Sequence, residues 1–285
     1  MRKGLAIITG ADGGMGTEIT RAVALAGYCV VMACYNAEKA EVKRKLLIEE
    51  TGNADIMVMS IDLSSLASVN AFACRMLERG DRLDLLMNNA GTMETGLHIT
   101  EDGLERTVSV NYVGHYLLTR KLLPLMGKGS RIVNMVSCTY AIGKLDFLDF
   151  FIKGKKGCFW RIPVYSNTKL ALTLFTFELA ERLKERGVVV NAAGPGIVST
   201  DIITMHMWFD PLTDIFFRPF IRTPRQGAAT AICLLLDEEA GKRTGTLNVS
   251  CRPKVLSEKY THHSQSRELW ERTEEIVANK KKATK

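Results

Sequence analysis

Residues 5–16 read LAIITGADGGMG, and this stretch decides the fold. Its first part, Leu5–Thr9, is apolar and β-branched and predicts a buried strand. Its second part carries four glycines and opens a helical pattern. Such a turn lets the backbone approach a pyrophosphate, whose charge faces the N–H groups of the helix. A dinucleotide site is therefore predicted at Gly10, Asp12, Gly14, Met15 and Gly16. A glycine-rich turn without a ligand is the alternative for this cluster taken alone.

Strand and helix patterns alternate along the rest of the chain. The predicted strands are Leu5–Thr9, Cys29–Ala33, Asp55–Ile61, Leu83–Asn88, Ser130–Val136, Val188–Ala192 and Thr246–Val249. The predicted helices are Glu18–Ala26, Glu38–Glu50, Leu66–Arg79, Leu104–Leu125, Ser166–Arg186 and Gln226–Leu236. This alternation predicts an α/β Rossmann fold, doubly wound, with a seven-stranded parallel sheet flanked by helices on both faces. No shift in composition marks a second domain, so residues 1–285 are interpreted as one domain.

The bulk composition narrows the classes of partner. The net charge of +7 comes partly from Lys280, Lys281, Lys282 and Lys285, a basic tail that is typical of a solvated terminus, so nucleic acid is not an expected partner. The seven cysteines form no CxxC pair, which favours reduced, mostly buried thiols and a cytoplasmic location. The first apolar run, Leu5–Ile8, is too short for a membrane span or a signal peptide.

The end of the second predicted strand is where doubly wound folds read the adenosine ribose, with an acid for NAD or a base for NADP. Cys34 and Tyr35 occupy these positions, so neither is present. The absence of an acid removes a repulsion against the 2′-phosphate of NADP, although Asp12 restores part of it. The sequence leans slightly to NADP, with NAD as the alternative.

Tyr165 and Lys169 are four residues apart, on one face of a helix if the segment is helical. A tyrosine pKa of about 10 must fall for acid–base work near neutral pH, and a neighbouring ammonium would lower it. Ser137 ends a predicted strand at the edge where parallel sheets bind ligands, and Asn111 is an amide within an apolar helix. The alternatives are a chance pair on a solvated helix, a turn-forming serine and a buried asparagine that kinks its helix.

In chain order, these segments resemble the motifs of the short-chain dehydrogenase/reductase family across nearly the whole sequence. The resemblance covers the glycine loop Thr9–Gly16, the acidic adenine contact Asp62-Leu63, and the NNAG segment with Asn89, Ala90 and Gly91. It continues with Asn111, Ser137, the Tyr165–Lys169 pair and the segment from Pro195 to Thr200, which includes Gly196 and Val198.

The resemblance implies hydride transfer between a nicotinamide cofactor and a carbonyl or alcohol substrate. It implies that Tyr165 donates or accepts the proton, that Ser137 polarises the carbonyl and that Lys169 lowers the tyrosine pKa and grips the nicotinamide ribose. Tyr165 is expected to contact the cofactor as well. Asn111 would hold a water linked to Lys169, while Val198 and Thr200 would orient the carboxamide. A cofactor-bound sensor without turnover and an NAD-dependent epimerase or dehydratase are the alternative functions.

Within the family, the chain resembles the retinol-dehydrogenase-like branch, which favours lipophilic aldehydes and NADP. The features that it shares are the 28-residue step from Ser137 to Tyr165, the Ala33-Cys34 strand end and the closing Leu269-Trp270 segment. It departs from the branch at Tyr35, where an arginine usually reads the 2′-phosphate. No counterpart of the branch's membrane-anchoring segment precedes Leu5, so retinoid turnover is not the expected reaction.

Two segments interrupt the alternation and are interpreted as inserts at the ligand end. The insert at about 145–163 is interpreted as a solvated loop, with a pocket wall or a binding site for an acidic group as the alternatives. The segment at about 202–221, rich in Met, Phe and Trp, is interpreted as a substrate lid, with core packing or an oligomer contact as the alternative. The family commonly forms oligomers, so the helices Leu104–Leu125 and Leu170–Leu183 are possible homo-oligomer interfaces unless the C-terminal helix, about 264–278, covers them. No metal site is expected.

Overall fold

The computed structural model describes residues 3–151, 159–196, 222–261 and 263–279. Its sheet has the strand order β3-β2-β1-β4-β5-β6-β7-β8. The strands are β1 (Leu5–Thr9), β2 (Cys29–Cys34), β3 (Ile56–Ser60), β4 (Leu83–Asn88), β5 (Arg131–Met135), β6 (Val189–Gly194), β7 (Thr246–Val249) and β8 (Arg252–Pro253). All pairings from β3 to β7 are parallel. The order reverses between β1 and β4, which is where a doubly wound sheet opens a ligand crevice.

The helices cover both faces of the sheet. They are α1 (Gly14–Leu25), α2 (Ala37–Thr51), α3 (Leu66–Arg79), α4 (Arg106–Val108), α5 (Gly114–Leu122), α6 (Arg161–Arg182), α7 (Pro224–Leu236), α8 (Glu258–Thr261) and α9 (Ser266–Asn279). A π-helical turn, Ser109–Val113, joins α4 to α5 without a break. One buried apolar cluster lies under α1, α2 and α7, and the other lies under α3, α5 and α6. The predicted α/β doubly wound fold is confirmed.

The sheet has one strand more than the sequence analysis predicted. Seven strands are parallel as predicted, and β8 adds a short antiparallel edge to β7. The turn between them places Ser250 and Cys251 at φ values of 51° and 61°. Because neither residue is glycine, the sequence carried no hairpin signal at this turn. The expected count of seven was therefore wrong by this edge strand.

The helix α9 covers the outer face of α5 and α6. Trp270 packs on Tyr116 and Phe175, with ring centroids 5.1 and 5.9 Å apart respectively. The Tyr116 hydroxyl and Arg120 Nε each donate a 2.7 Å hydrogen bond to the same oxygen of Glu274. The face that the sequence offered as an oligomer contact is therefore packed against a segment of the same chain.

The structure also bears on the sequence interpretations about a membrane span and about the cysteines. No helix within the described ranges is long and apolar enough to cross a membrane. The expectation of mostly buried cysteines is wrong for the described part of the chain. Cys29 and Cys34 are buried and Cys233 is partly exposed, whereas Cys74, Cys138 and Cys251 are exposed.

Candidate functional site

The glycine loop forms a cradle in which Gly10 and Gly16 leave no room for a side chain. Gly10 has a φ of +61°, in the left-handed region that favours glycine. A Cβ on Gly16 would lie 2.0 Å from the carbonyl oxygen of Gly10, so only glycine fits there. The helix α1 begins after Gly13, which offers no side-chain cap, so its first N–H groups are left for a ligand. The geometry fits an anion such as a pyrophosphate.

The NNAG segment is tied to the end of β1 through Thr9. The backbone N–H groups of Asn89 and Ala90 donate to the Thr9 hydroxyl at 2.9 and 3.0 Å. The Asn89 side-chain amide donates to the carbonyl of Thr9 at 2.9 Å and to that of Gly10 at 3.2 Å. The loop after β4 and the glycine loop are therefore one hydrogen-bonded unit.

A cavity of about 510 Å³ opens at the point where the strand order reverses. It lies within the size range of small-molecule and cofactor sites. Its lining includes the predicted cofactor residues Gly10, Asp12, Gly14, Met15, Gly16, Tyr35, Asp62, Leu63, Asn89, Ala90 and Gly91. Asn89 also places a buried Oδ1 at this wall with no partner among the described residues. The cavity fits the dinucleotide that the glycine loop predicts.

The adenosine end of this cavity has an acid, but β2 does not supply it. Asp12, from the glycine loop, lies at the buried Cys34 thiol, and burial together with this carboxylate raises the pKa of Cys34 to about 12. Tyr35, the next residue, is 68% exposed at the rim. Asp62 is fixed by hydrogen bonds from the backbone N–H and hydroxyl of Ser64, at 2.8 and 2.6 Å. Two carboxylates, Asp12 and Asp62, therefore line the part of the cavity where the adenosine is expected.

Asn111 lies in the π-helical turn, and its carboxamide is occupied by the protein. Its Nδ2 donates to the carbonyl of Thr92 at 2.8 Å, and the Thr92 N–H donates to its Oδ1 at 2.8 Å. Nδ2 also donates to Thr168 of α6 at 3.2 Å. π-helical turns occur often at functional sites, and this one anchors the loop after β4 to the helix that carries Tyr165.

Tyr165 and Lys169 lie side by side on α6. Lys169 Nζ is 5.4 Å from the centroid of the Tyr165 ring and donates to the carbonyl of Met135, at the end of β5, at 2.9 Å. Ser137 follows β5 and interacts with the Tyr165 phenol. A Cβ on Gly91 would lie 3.4 Å from Asn111 Oδ1 and 3.7 Å from Lys169 Nζ. The four candidate catalytic residues therefore meet just beyond the Gly91 end of the cavity.

Burial sets the protonation of this pair. It raises the pKa of Tyr165 to about 12, while the Ser137 hydroxyl opposes the rise. It lowers the pKa of Lys169 to about 8, because Lys169 is only 3% exposed. Lys169 is not among the groups that shift the Tyr165 pKa in this structure, so the lowering that the resemblance implies stays a prediction. At neutral pH the phenol holds its proton and the amine is an ammonium, which suits proton donation.

Several residues of the cavity escaped the sequence analysis. They are Gly13, Ala33, Ile61, Thr92, Glu94, Arg106, Val110 and Pro224. Gly13 was quoted within the glycine loop but not proposed as a contact. Glu94 accepts from the Thr92 hydroxyl at 3.0 Å and pairs with Arg106 at 3.5 Å. Both charged residues lie outside any motif, so only the tertiary structure places them at the cavity.

The remaining predicted cofactor residues follow β6. Pro195 and Gly196 are described but do not line the cavity, and the Pro195 carbonyl accepts from Arg222 at 3.2 Å. Val198, Thr200 and the proposed lid at 202–221 lie outside the described residues. In the insert at 145–163, Phe150 and Phe151 are buried in the core, so the solvated-loop interpretation is wrong at these two positions, and the pocket-wall interpretation stays a prediction.

Comparison with known proteins shows the family to which the chain belongs. A family model described as short chain dehydrogenase matches residues 4–147 and 152–206. Retinol dehydrogenase 11 from Homo sapiens is 35% identical over 268 residues, and the match covers 93% of this chain and 83% of that protein. Retinol dehydrogenase 14 from Homo sapiens is 35% identical over 289 residues, covering 95% of this chain and 85% of that protein.

A solved structure of a short chain dehydrogenase from Burkholderia cenocepacia J2315 in complex with NADP is similar as well. It has a TM-score of 0.70 and 23% identity, and the match covers 87% of this chain and 96% of that one. At this identity the likeness shows the shared fold.

Proposed function

Because the chain belongs to the short-chain dehydrogenase/reductase family, in its retinol-dehydrogenase-like branch, we propose that it reduces lipophilic aldehydes or ketones with Tyr165 as the proton donor. The chain is an NAD(P)-dependent oxidoreductase that acts on an alcohol or carbonyl substrate. A bound nicotinamide supplies or accepts the hydride. The observation that carries the proposal is the meeting of Tyr165, Lys169, Ser137 and Asn111 beside the Gly91 end of the cavity.

Each residue has a role that follows from its contacts. The Tyr165 phenol, protonated at neutral pH, donates to the carbonyl oxygen as negative charge develops there. The Ser137 hydroxyl, close to the phenol, donates a second hydrogen bond to the same oxygen. Lys169 is held by Met135 and keeps an ammonium beside the phenol, which stabilises the phenolate once the proton has left. Asn111 holds Thr92 and Thr168 in place.

The proposed cofactor is NADP ahead of NAD, bound by the residues already named at the cavity. The β2 strand ends in Cys34 without an acid, so β2 presents no charge against a 2′-phosphate. Asp12 is the opposing feature, since its carboxylate lies at Cys34. Pro195, Gly196, Val198 and Thr200 remain in the proposal as contacts of the carboxamide end.

The proposed substrate class follows from exposed apolar side chains that are close in sequence to the catalytic residues. Ile142, in the turn that begins after Ser137, and Trp160 and Ile162, at the start of α6, are all exposed. A polar substrate would leave these surfaces in water, whereas an aldehyde with an apolar chain would cover them. The Met- and Phe-rich residues 202–221 are proposed to complete this apolar side.

Turnover of a graded substrate series tests the proposal. Oxidation of NADPH and NADH is measured with straight-chain aldehydes of increasing length and with matched polar aldehydes. We expect kcat/KM to rise with apolar chain length and NADPH to be the better donor. A preference for small polar carbonyls would contradict the substrate class. Cofactor binding without any turnover would contradict catalysis and favour a cofactor-bound sensor.

A cytoplasmic location and a homo-oligomer complete the proposal. The location is inferred from the scattered cysteines without a CxxC pair. Recovery of the full chain in the membrane pellet of fractionated cells would contradict it. Light scattering on purified protein would give the oligomeric state, and the surface covered by α9 is not the expected contact.

A further inference from the structure

His115 is a buried titratable residue to which the mechanism assigns no role. It lies on α5 with none of its surface exposed. Its Nε2 is 3.0 Å from the Thr9 hydroxyl, and its Nδ1 is 3.4 Å from the main-chain oxygen of Asn111. The imidazole therefore connects the end of β1, which begins the glycine loop, with the π-helical turn that carries Asn111.

Hydrogen-bond counting fixes the tautomer of this imidazole. The Thr9 oxygen already accepts from the N–H groups of Asn89 and Ala90, which uses both of its lone pairs. A proton on His115 Nε2 would bring a third donor to that oxygen. Thr9 therefore donates to Nε2 at 3.0 Å, in preference to Met87 O at 3.3 Å. The imidazole proton is on Nδ1, which donates to the carbonyl of Asn111.

The surroundings keep this imidazole neutral. Burial lowers the pKa of His115 to about 3, and the ammonium of Lys169 adds to the lowering. A neutral imidazole has one donor and one acceptor, and each nitrogen finds one partner here. The residue therefore acts as a fixed bridge between the hydroxyl oxygen of Thr9 and the carbonyl oxygen of Asn111.

The bridge joins the two ends of the loop 89–92. Thr9 holds its first end through the N–H groups of Asn89 and Ala90. Asn111 holds its last end through the N–H and carbonyl of Thr92. Asn89, Ala90, Gly91 and Thr92 all line the cavity. His115 therefore links the Thr9 contacts at one end of this loop with the Asn111 contacts at the other end.

We propose that His115 is a positioning residue that sets dinucleotide affinity through Thr9 and turnover through Asn111. The kinetic part rests on the proposed function, whereas the tautomer and the cofactor affinity do not. The acceptor Nε2 orients the Thr9 hydroxyl, which holds the first end of the loop 89–92. The donor Nδ1 stabilises the carbonyl of Asn111 in the π-helical turn beside α6.

Two conservative variants separate these two contacts. His115→Gln keeps an acceptor near the position of Nε2 but loses the donor to Asn111. His115→Asn keeps a donor near the position of Nδ1 but loses the acceptor for Thr9. His115→Leu loses both. The measurements are Kd for NADPH by fluorescence titration, kcat at saturating cofactor, and the unfolding temperature of each variant.

We expect opposite patterns from the two variants. His115→Asn should raise Kd about tenfold with kcat within about twofold of the parent, and His115→Gln should show the reverse. His115→Leu should show both the raised Kd and the lowered kcat. If both variants show the same rise in Kd and the same fall in kcat, and both changes follow the drop in unfolding temperature, His115 has only a structural role. That result would overturn the proposal.

Nitrogen NMR of the histidine-labelled chain tests the tautomer without turnover, with His115→Gln used to assign the signal. We expect a neutral imidazole protonated on Nδ1 that does not titrate between about pH 5 and pH 8. Protonation on Nε2, or titration near the ordinary histidine pKa, would overturn the assignment. A parent chain that binds NADPH but reduces no carbonyl would contradict the proposed function, while Kd and NMR still decide the role of His115.

Discussion

The two halves of the ligand edge of this sheet are built by different means. At the ends of β1 and β4, backbone groups and glycines form the cofactor cradle, and Gly10 and Gly16 allow no side chain. At the end of β5 and on α6, the chemistry belongs to individual side chains, Ser137, Tyr165 and Lys169, whose protonation is set by burial. The cofactor half is thus sensitive to shape, and the catalytic half is sensitive to charge and pH.

The largest effect is expected in the glycine loop, where a side chain has no room. Gly16→Ala would place a methyl group 2.0 Å from the Gly10 oxygen, so the loop must move away from its binding geometry. We expect Kd for NADPH to rise by about a hundredfold or more, since each tenfold change corresponds to about 1.4 kcal/mol. Isothermal titration calorimetry measures it.

Gly13→Ala is the matched control for that variant. A Cβ there would meet only the Gly10 oxygen, at 3.4 Å, and Gly13 has an extended backbone with φ of −76°. We expect Kd to change by less than about threefold. If Kd rose equally in the two variants, any glycine of the loop would be equally important. That result would contradict a cradle formed by the close approach of Gly16 to the Gly10 oxygen.

In the catalytic half, charge burial should appear in the pH dependence of stability. The pKa of Lys169 is lowered from 10.5 to about 8 on folding, so the unfolded chain holds more protons between these values. Stability from this group therefore rises with pH across that window. Relative to Lys169→Met, the parent should gain about 1.4 kcal/mol of unfolding free energy per pH unit above about pH 8.

Urea unfolding of both proteins from pH 7 to pH 9.5 measures this gain. Changes at Tyr165 occur in both proteins and so largely cancel in the difference. Lys39→Met, which removes an exposed lysine of α2, is the control and should show no such slope. A flat difference for Lys169→Met would mean that the buried amine is solvated more than its 3% exposure indicates.

The smallest effect is expected at the adenosine end of the cavity, where a charged side chain belongs to the glycine loop itself. Asp12→Asn removes a carboxylate that lies at Cys34, and with it a repulsion against the 2′-phosphate of NADPH. We expect the ratio of Kd values for NADH and NADPH to shift about threefold to fivefold towards NADPH, in the range of partly solvated charge interactions.

Glu38→Gln, in the exposed first turn of α2, is the control for that substitution. It removes a carboxylate that does not line the described cavity, so it should leave the ratio unchanged. A shift towards NADH in Asp12→Asn would show that Asp12 does not repel the 2′-phosphate.

The sequence predicted the fold well because its signals are local. Leu5–Thr9, Leu83–Asn88 and Thr246–Val249 are strands with the predicted bounds. The helix α6 begins at Arg161, earlier than the predicted Ser166, because Pro163 in the first turn of a helix displaces no intrahelical hydrogen bond. The helix α1 begins at Gly14, within the glycines and before the predicted Glu18.

The site was predictable where it follows a motif and not where it depends on tertiary contact. The glycine loop and the NNAG segment line the cavity as predicted, since their backbone role restricts the sequence. Glu94 and Arg106 reach the same cavity from a loop and a helix start that carry no motif. His115 belongs to none of the motifs in the sequence, because its partners Thr9 and Asn111 are visible only in the folded chain.

The most direct test of the account is carbonyl reduction by Tyr165→Phe beside the parent chain, with NADPH and with NADH. The phenol is proposed as the proton donor and the cofactor cradle is built elsewhere, so the two properties should separate. We predict that kcat falls at least about a hundredfold, as expected for loss of a general acid, while Kd for NADPH stays within about threefold. Full turnover in Tyr165→Phe would contradict the assignment of the proton donor and with it the proposed mechanism.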